Sequence, residues 1–173
     1  MEHPGRVVWL TGLSGAGKTT IAKETARRLT MQNRQFEHLD GDELRGTLCK
    51  GLSFTREDRI DNIRRIVFVA RLLSRNGIDV VVSAITPYAE MRDNARSQLP
   101  GYIEVYVDCP LVECERRDPK GLYAMARKGD LQRFTGISDP YEIPLAPDLT
   151  LYPARQSVME CADALMTLLA CEA

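Results

Sequence analysis

The stretch "GLSGAGKTT", Gly12 to Thr20, constrains this chain more than any other, set as it is between the apolar run "RVVWLT" and the amphipathic "IAKETARRL". Gly12, Gly17, Lys18 and Thr19 satisfy the spacing G-x-x-x-x-G-K-[ST] where its mechanism requires it, between a buried strand and a helix. Such glycines let successive backbone N–H groups curl around phosphate oxygens, and the helix N-terminus adds a favourable dipole. The loop running through Leu13, Ser14, Gly15 and Ala16 to Thr20 therefore reads as a nucleoside triphosphate cradle. Lys18 is expected to reach the β and γ phosphates, and the Thr19 hydroxyl to ligate a Mg²⁺ that bridges them. The motif alone does not separate a small-molecule kinase from a GTPase or a regulatory ATPase.

Around this loop, short β-rich runs alternate with segments of helical period. Strands are expected at 7–11, 36–39, 80–84, 103–107 and 149–152, and helices at 18 to about 31, 88–99, 111–117 and 156–169, with short helices after 39. That order implies βαβ units, hence an α/β fold with a doubly wound parallel sheet of the P-loop NTPase, nucleoside-kinase-like kind. Ligands of such sheets sit at the carboxyl ends of the strands. The longest helix opens at "TRED", where Thr55 and Asp58 have capping-box spacing, carries Ile63, Ile66, Val67, Ala70 and Leu73 on one face, and ends at Gly77. Residues from about 119 to 147 are rich in Pro, Gly, Asp and charge, and read as a long mobile loop, a lid over the site. With 173 residues, 44% of them hydrophobic, the whole of 1–173 is expected to be one domain.

Lys plus Arg number 23 and Asp plus Glu 24, a net charge of −1, which argues against a nucleic-acid partner. Anionic ligands must be held by local clusters. The five cysteines are odd in number and lack C-x-x-C spacing, so reduced and mostly buried thiols are expected. No apolar stretch approaches the roughly 20 residues of a membrane span, and the chain reads as soluble and cytoplasmic. His3 and His38 lie far apart without ligand-like neighbours, and Trp9 reads as core packing.

The phosphoryl acceptor must be sought elsewhere in the chain. "LDGDELR" puts Asp40 and Asp42 at the carboxyl edge of the second strand, Asp42 suited to the proton of an attacking hydroxyl and Asp40 to a magnesium-bound water. An ordinary acidic turn with Gly41 at positive φ is the alternative. Arg59 and Asn62 share a helical face, and with Arg45 they are candidates to converge on an anionic acceptor, because a guanidinium fork grips phosphate or sulfate. Arg56, Arg64, Arg65, Arg71 and Arg75 read as a solvated helix face.

The blocks "WLTGLSGAGKTT", "LDGDELR", "FTREDRIDNIRR", "VVVSAITPYAEMRDNAR", "IEVYVDCP" and "RDPKGLYAMARKGDLQRFTGISDPYEIP" together resemble the adenylylsulfate kinase (APS kinase) family over nearly the whole chain. The resemblance implies an enzyme that moves the γ-phosphoryl of ATP to the 3′-hydroxyl of adenosine 5′-phosphosulfate, with Mg²⁺, in sulfate activation. It implies Asp42 near the acceptor hydroxyl, Arg45, Arg59 and Asn62 on the phosphosulfate nucleotide, Phe54 and Phe134 on the two faces of its adenine, and Lys120 and Leu122 completing the pocket. Two π faces on the base and an aromatic for each agree with that. It further implies a homodimer.

Thr86 of "SAITPY" stands where the family usually has Ser. It is read as a ground-state contact with no covalent role, beside Ser83 and Ile85 as pocket walls. Kinases of this fold commonly stack an arginine on the ATP adenine, and Arg116 is the candidate, with Arg117 close behind and helix capping the alternative. Ser53 replaces a common Gly before Phe54, which is expected to tighten that loop. Few residues precede the first strand, so regulation by an N-terminal segment is expected to be missing. A different small anionic acceptor, or a regulatory nucleotide-binding module, are the alternative functions.

Overall fold

The structure, a computed structural model, describes residues 4–171, with side chains to 170; His3 and the Cys171 side chain lie outside that range. Five strands, β1 (Val7–Thr11), β2 (Phe36–Asp40), β3 (Asp79–Ser83), β4 (Tyr102–Val107) and β5 (Leu149–Leu151), form one all-parallel sheet in the order β2-β3-β1-β4-β5. Helices α1 (Lys18–Met31), α2 (Gly41–Gly46), α3 (Arg56–Ser74), α4 (Ala89–Gln98), α5 (Leu111–Arg117), α6 (Leu122–Lys128) and α7 (Val158–Cys171) connect and cover it. Strand β1, "VVWLT", is buried at every position because both faces of the sheet are covered. Its alternate side chains feed two cores. Val8 and Leu10 join Val81, Val105, Ile21, Leu29, Leu165 and Leu169 under α1 and α7, while Val7 and Trp9 join Val80, Val82, Ile66, Ala70 and Met91 under α3 and α4.

The doubly wound sheet is as expected, with strand and helix ends displaced by a residue or two in several elements. Thr55 caps α3, its hydroxyl accepting from the Asp58 amide at 3.2 Å. The Asp58 carboxylate does not complete a capping box; it takes the Ser53 amide at 2.9 Å and the Ser53 hydroxyl, tying down the turn that presents Phe54. At the other end Gly77, at φ 79°, donates to the Ser74 carbonyl.

Residues 119–147 depart from a plain loop. "LYAMARK" forms α6 between Gly121 and Gly129, with Tyr123 and Ala126 buried one helical turn apart. Phe134, 8% exposed, sits with them in the core on the α1 and α7 face. The segment is therefore anchored to that core by apolar contacts.

Candidate active site

At the carboxyl edge of the sheet a cavity of about 530 Å³ opens beside the loop that follows β1. Its wall brings together Ser14, Gly15, Gly17, Lys18, Thr19 and Thr20 with Asp42, Arg45, Phe54, Arg59 and Asn62. Ser83, Ile85, Thr86, Lys120, Leu122 and Phe134 of the expected set also line it. Gly12, Leu13, Ala16, Asp40 and Arg116 are not in the wall. Gly12 and Ala16 shape the loop from behind: Ala16 is buried, and a Cβ on Gly12, at φ 152°, would lie 2.6 Å from the Val107 carbonyl oxygen.

Lys18 Nζ donates to the carbonyls of Gly12 at 2.9 Å and Leu13 at 2.7 Å. Burial pushes its pKa down to about 8, against the opposing pull of the Asp42 charge. The Thr19 hydroxyl donates to Asp40 Oδ2 at 2.7 Å, the Ser83 hydroxyl to the same oxygen at 3.0 Å, and His38 Nε2 lies 2.9 Å from Ser83 Oγ. Burial raises the Asp40 carboxyl, but the bonds from Thr19, Ser83 and the amides of Asp42 and Glu43 outweigh it and hold the pKa below its ordinary value. Asp40 is thus the N-cap of α2, accepting from the Asp42 amide at 2.9 Å. Gly41 is the first residue of that helix, not a positive-φ turn residue; it is small because a Cβ would meet the Ser83 carbonyl oxygen at 3.1 Å and Ala84 Cβ at 3.2 Å.

The neighbouring oxygens of Thr19 and Asp40 suit a hard cation shared with phosphate oxygens and water. Among the described residues no group of three or more His, Cys, Asp and Glu could hold a metal by itself.

On the opposite wall, the Arg45 guanidinium lies 4.5 Å from the Phe54 ring centroid and donates to the Ser53 carbonyl at 3.1 Å. Burial, then the nearby Arg59 charge, lowers the Arg45 pKa. Arg59 is buried and heavily engaged, donating to the Phe54 carbonyl at 3.0 Å, to Thr135 Oγ1 at 3.0 Å and to the Arg133 carbonyl. It ties α3 to the 119–147 segment, a bond the sequence pattern did not indicate. Buried Asn62 keeps an Oδ1 with no partner among the described residues. Asp42 forms an ion pair with Lys120 across the cavity mouth. Phe134 meets Tyr123 edge-on at 4.9 Å, and the Tyr123 hydroxyl donates to the Ser14 carbonyl at 2.8 Å, so one tyrosine joins this segment to the phosphate loop.

Arg116 turns outward, its side chain 72% exposed and paired with Glu113 at 2.7 Å. Arg117, about 100° further round the helix, lines the cavity and donates to the Pro153 carbonyl at 2.9 Å. The four cysteines with described side chains, Cys49, Cys109, Cys114 and Cys161, are free and buried, as expected.

A family profile for adenylylsulphate kinase matches residues 4–152. An adenylyl-sulfate kinase of Picosynechococcus is 51% identical over 166 residues, covering 96% of this chain and 94% of the relative. Among solved structures, the APS kinase CysC of Mycobacterium tuberculosis, described in complex with AMPPNP and APS, superposes with a TM-score of 0.94 at 45% identity, covering 97% of this chain and 99% of that one. A hexameric APS kinase from Thiobacillus denitrificans has a TM-score of 0.73 at 30% identity, with 99% of this chain and 30% of that one covered. The chain belongs to the adenylylsulphate kinase family.

Proposed function

We propose, with family membership as the premise, that the chain transfers the γ-phosphoryl of ATP to the 3′-hydroxyl of adenosine 5′-phosphosulfate, giving 3′-phosphoadenosine 5′-phosphosulfate. The observation that carries this reading is one cavity that holds a phosphate loop on one side and an arginine and aromatic wall on the other.

In this reading Lys18 holds the β and γ phosphates, and the backbone amides of residues 12–20 surround them. Thr19, backed by Asp40, would hold a Mg²⁺, which would supply charge neutralisation at the phosphates. Thr19 offers it an oxygen, and Asp40, by accepting the Thr19 proton, keeps that lone pair turned outward. Asp42 takes the proton of the 3′-hydroxyl as the new O–P bond forms and the bond from the γ phosphorus to the bridging oxygen breaks. Arg45, Arg59 and Asn62 serve the phosphosulfate nucleotide, Phe54 and Phe134 its adenine, and Ser83, Ile85, Thr86 and Leu122 the walls. Lys120, paired with Asp42, is placed to follow that carboxylate as substrate enters. Arg117 takes the ATP adenine in place of Arg116. The 119–147 segment acts as the lid, excluding water that competes for the phosphoryl group. Catalysis is then positioning and charge neutralisation, within one domain of 1–173.

The test is ADP release with MgATP in the presence of adenosine 5′-phosphosulfate, AMP or a simple sugar. Stimulation by the phosphosulfate alone is expected. Stimulation by another acceptor, or slow hydrolysis that no acceptor accelerates and that Asp42→Ala leaves unchanged, overturns the assignment. The family resemblance also supports a homodimer, checked by sedimentation velocity, where a monomer or hexamer contradicts it. Dependence on ATP favours the cytoplasm, and no helix among the described residues is long and apolar enough to cross a membrane.

A further inference from the structure

Four non-glycine residues among those described have positive φ, and Thr86, at 49°, is the β-branched one. A branched Cβ crowds this conformation, so it persists only where the surroundings hold it. They do so from several sides. Trp9 Nε1 donates to Thr86 Oγ1 at 2.9 Å, and Arg92 Nη1 donates to the Thr86 carbonyl at 3.0 Å. One residue earlier, the Ile85 carbonyl accepts from Thr11 Oγ1 at 2.6 Å and from the Gly12 amide at 3.4 Å. Thr11 has one hydroxyl proton to give, so Tyr141, whose oxygen is 2.9 Å away, is the donor in their contact. Trp9 is fully buried and Thr86 is 1% exposed. A buried indole N–H without an acceptor is costly, and Thr86 supplies one.

Residues 83–87 form one continuous wall of the cavity. They are fixed in the middle, at Ile85, to the first residue of the phosphate loop and, one residue on, at Thr86, to a tryptophan at the centre of the sheet. We propose that Trp9 is a positioning residue for the phosphoryl acceptor: its indole N–H holds the Thr86 hydroxyl and so fixes the wall against which the acceptor is placed. This rests on the function proposed above. The same bond gives the Thr86 oxygen a structural role as the acceptor of the buried indole N–H.

The experiment compares Trp9→Phe, which keeps a ring and removes the N–H, with Thr86→Val, Thr86→Ser and a double variant that combines Trp9→Phe with Thr86→Val. KM for each substrate, kcat and thermal unfolding are measured. Trp9→Phe and Thr86→Val are each expected to raise KM for adenosine 5′-phosphosulfate by about tenfold, the loss of one buried hydrogen bond, with KM for ATP moved less than about twofold. The double variant is expected to be no worse than the poorer single one, because both substitutions remove the same bond. Thr86→Ser, which keeps the acceptor oxygen, is expected to recover most of what Thr86→Val loses. Additive losses in the double variant, equal rises in both KM values, or a Thr86→Ser variant as impaired as Thr86→Val overturns the proposal. If Trp9→Phe does not fold, the contrast between Thr86→Val and Thr86→Ser decides. If the wild type does not use adenosine 5′-phosphosulfate, the functional reading fails, and the Trp9–Thr86 coupling is read from whether the shifts in Tm add.

Discussion

In the proposed function, Lys18 connects burial to nucleotide binding through a single side chain. It is 8% exposed, and burial brings its pKa from 10.5 to about 8. ATP phosphates favour the ammonium form, so binding above pH 8 takes up a proton. Affinity is therefore expected to be flat below pH 8 and to fall by up to about tenfold per pH unit above it, as calorimetry in two buffers of different ionisation enthalpy would register. The sign for stability is the reverse. The unfolded chain keeps the proton to about 10.5 while the folded chain loses it near 8, so Lys18 lets stability rise between those values. Lys18→Ala is expected to abolish transfer to any acceptor and to remove both effects; a variant with the wild-type pH profile contradicts the assignment. At this scale the phosphate loop was legible because its chemistry dictates residue type and spacing together. Which of Arg116 and Arg117 faces the cavity was not, since it depends on how α5 is turned and on where Pro153 lies. His38 likewise meets Asp40 only through Ser83, from a neighbouring strand.

At the scale of elements, α3 was readable from its apolar spacing and cap, and it carries Arg59 and Asn62 to the cavity. Thr55→Ala removes the cap and is expected to cost about 1 kcal/mol in urea unfolding with an unchanged m-value; a loss below about 0.3 kcal/mol, under the usual capping range, contradicts the capping role. Helix α6 was hidden by the Pro and Gly content around it, although Leu122, Tyr123 and Ala126 at helical spacing between Gly121 and Gly129 were a usable signal. Its consequence is that Phe134 belongs to a core as well as to the cavity. Phe134→Ala is expected to weaken adenosine 5′-phosphosulfate binding about tenfold or more, with ATP binding nearly intact. Equal losses for both ligands, measured by titration, would sink its stacking role. The unfolding free energy should also drop by about 3 kcal/mol, the cost of a buried Phe truncation.

For the whole molecule, alternating strand and helix signals determine a parallel sheet, and the sheet determines an edge where ligands meet. The strand order β2-β3-β1-β4-β5 was not legible, because alternation says nothing of which strands are neighbours. That order puts β1 between β3 and β4, so the phosphate loop after β1 adjoins the 83–87 wall after β3, and the bonds of Thr11, Trp9 and Gly12 to that wall become possible. Long-range contacts of this kind are what one sequence withholds. The central claim is that this edge unites ATP with the 3′-hydroxyl of a phosphosulfate nucleotide. It is tested most directly by ³¹P NMR of the product formed from MgATP and adenosine 5′-phosphosulfate. The account predicts ADP and, in equal amount, a new phosphomonoester on the 3′-oxygen with the phosphosulfate signal retained. ADP accompanied by inorganic phosphate alone, or a phosphoryl group on any other atom, would contradict it.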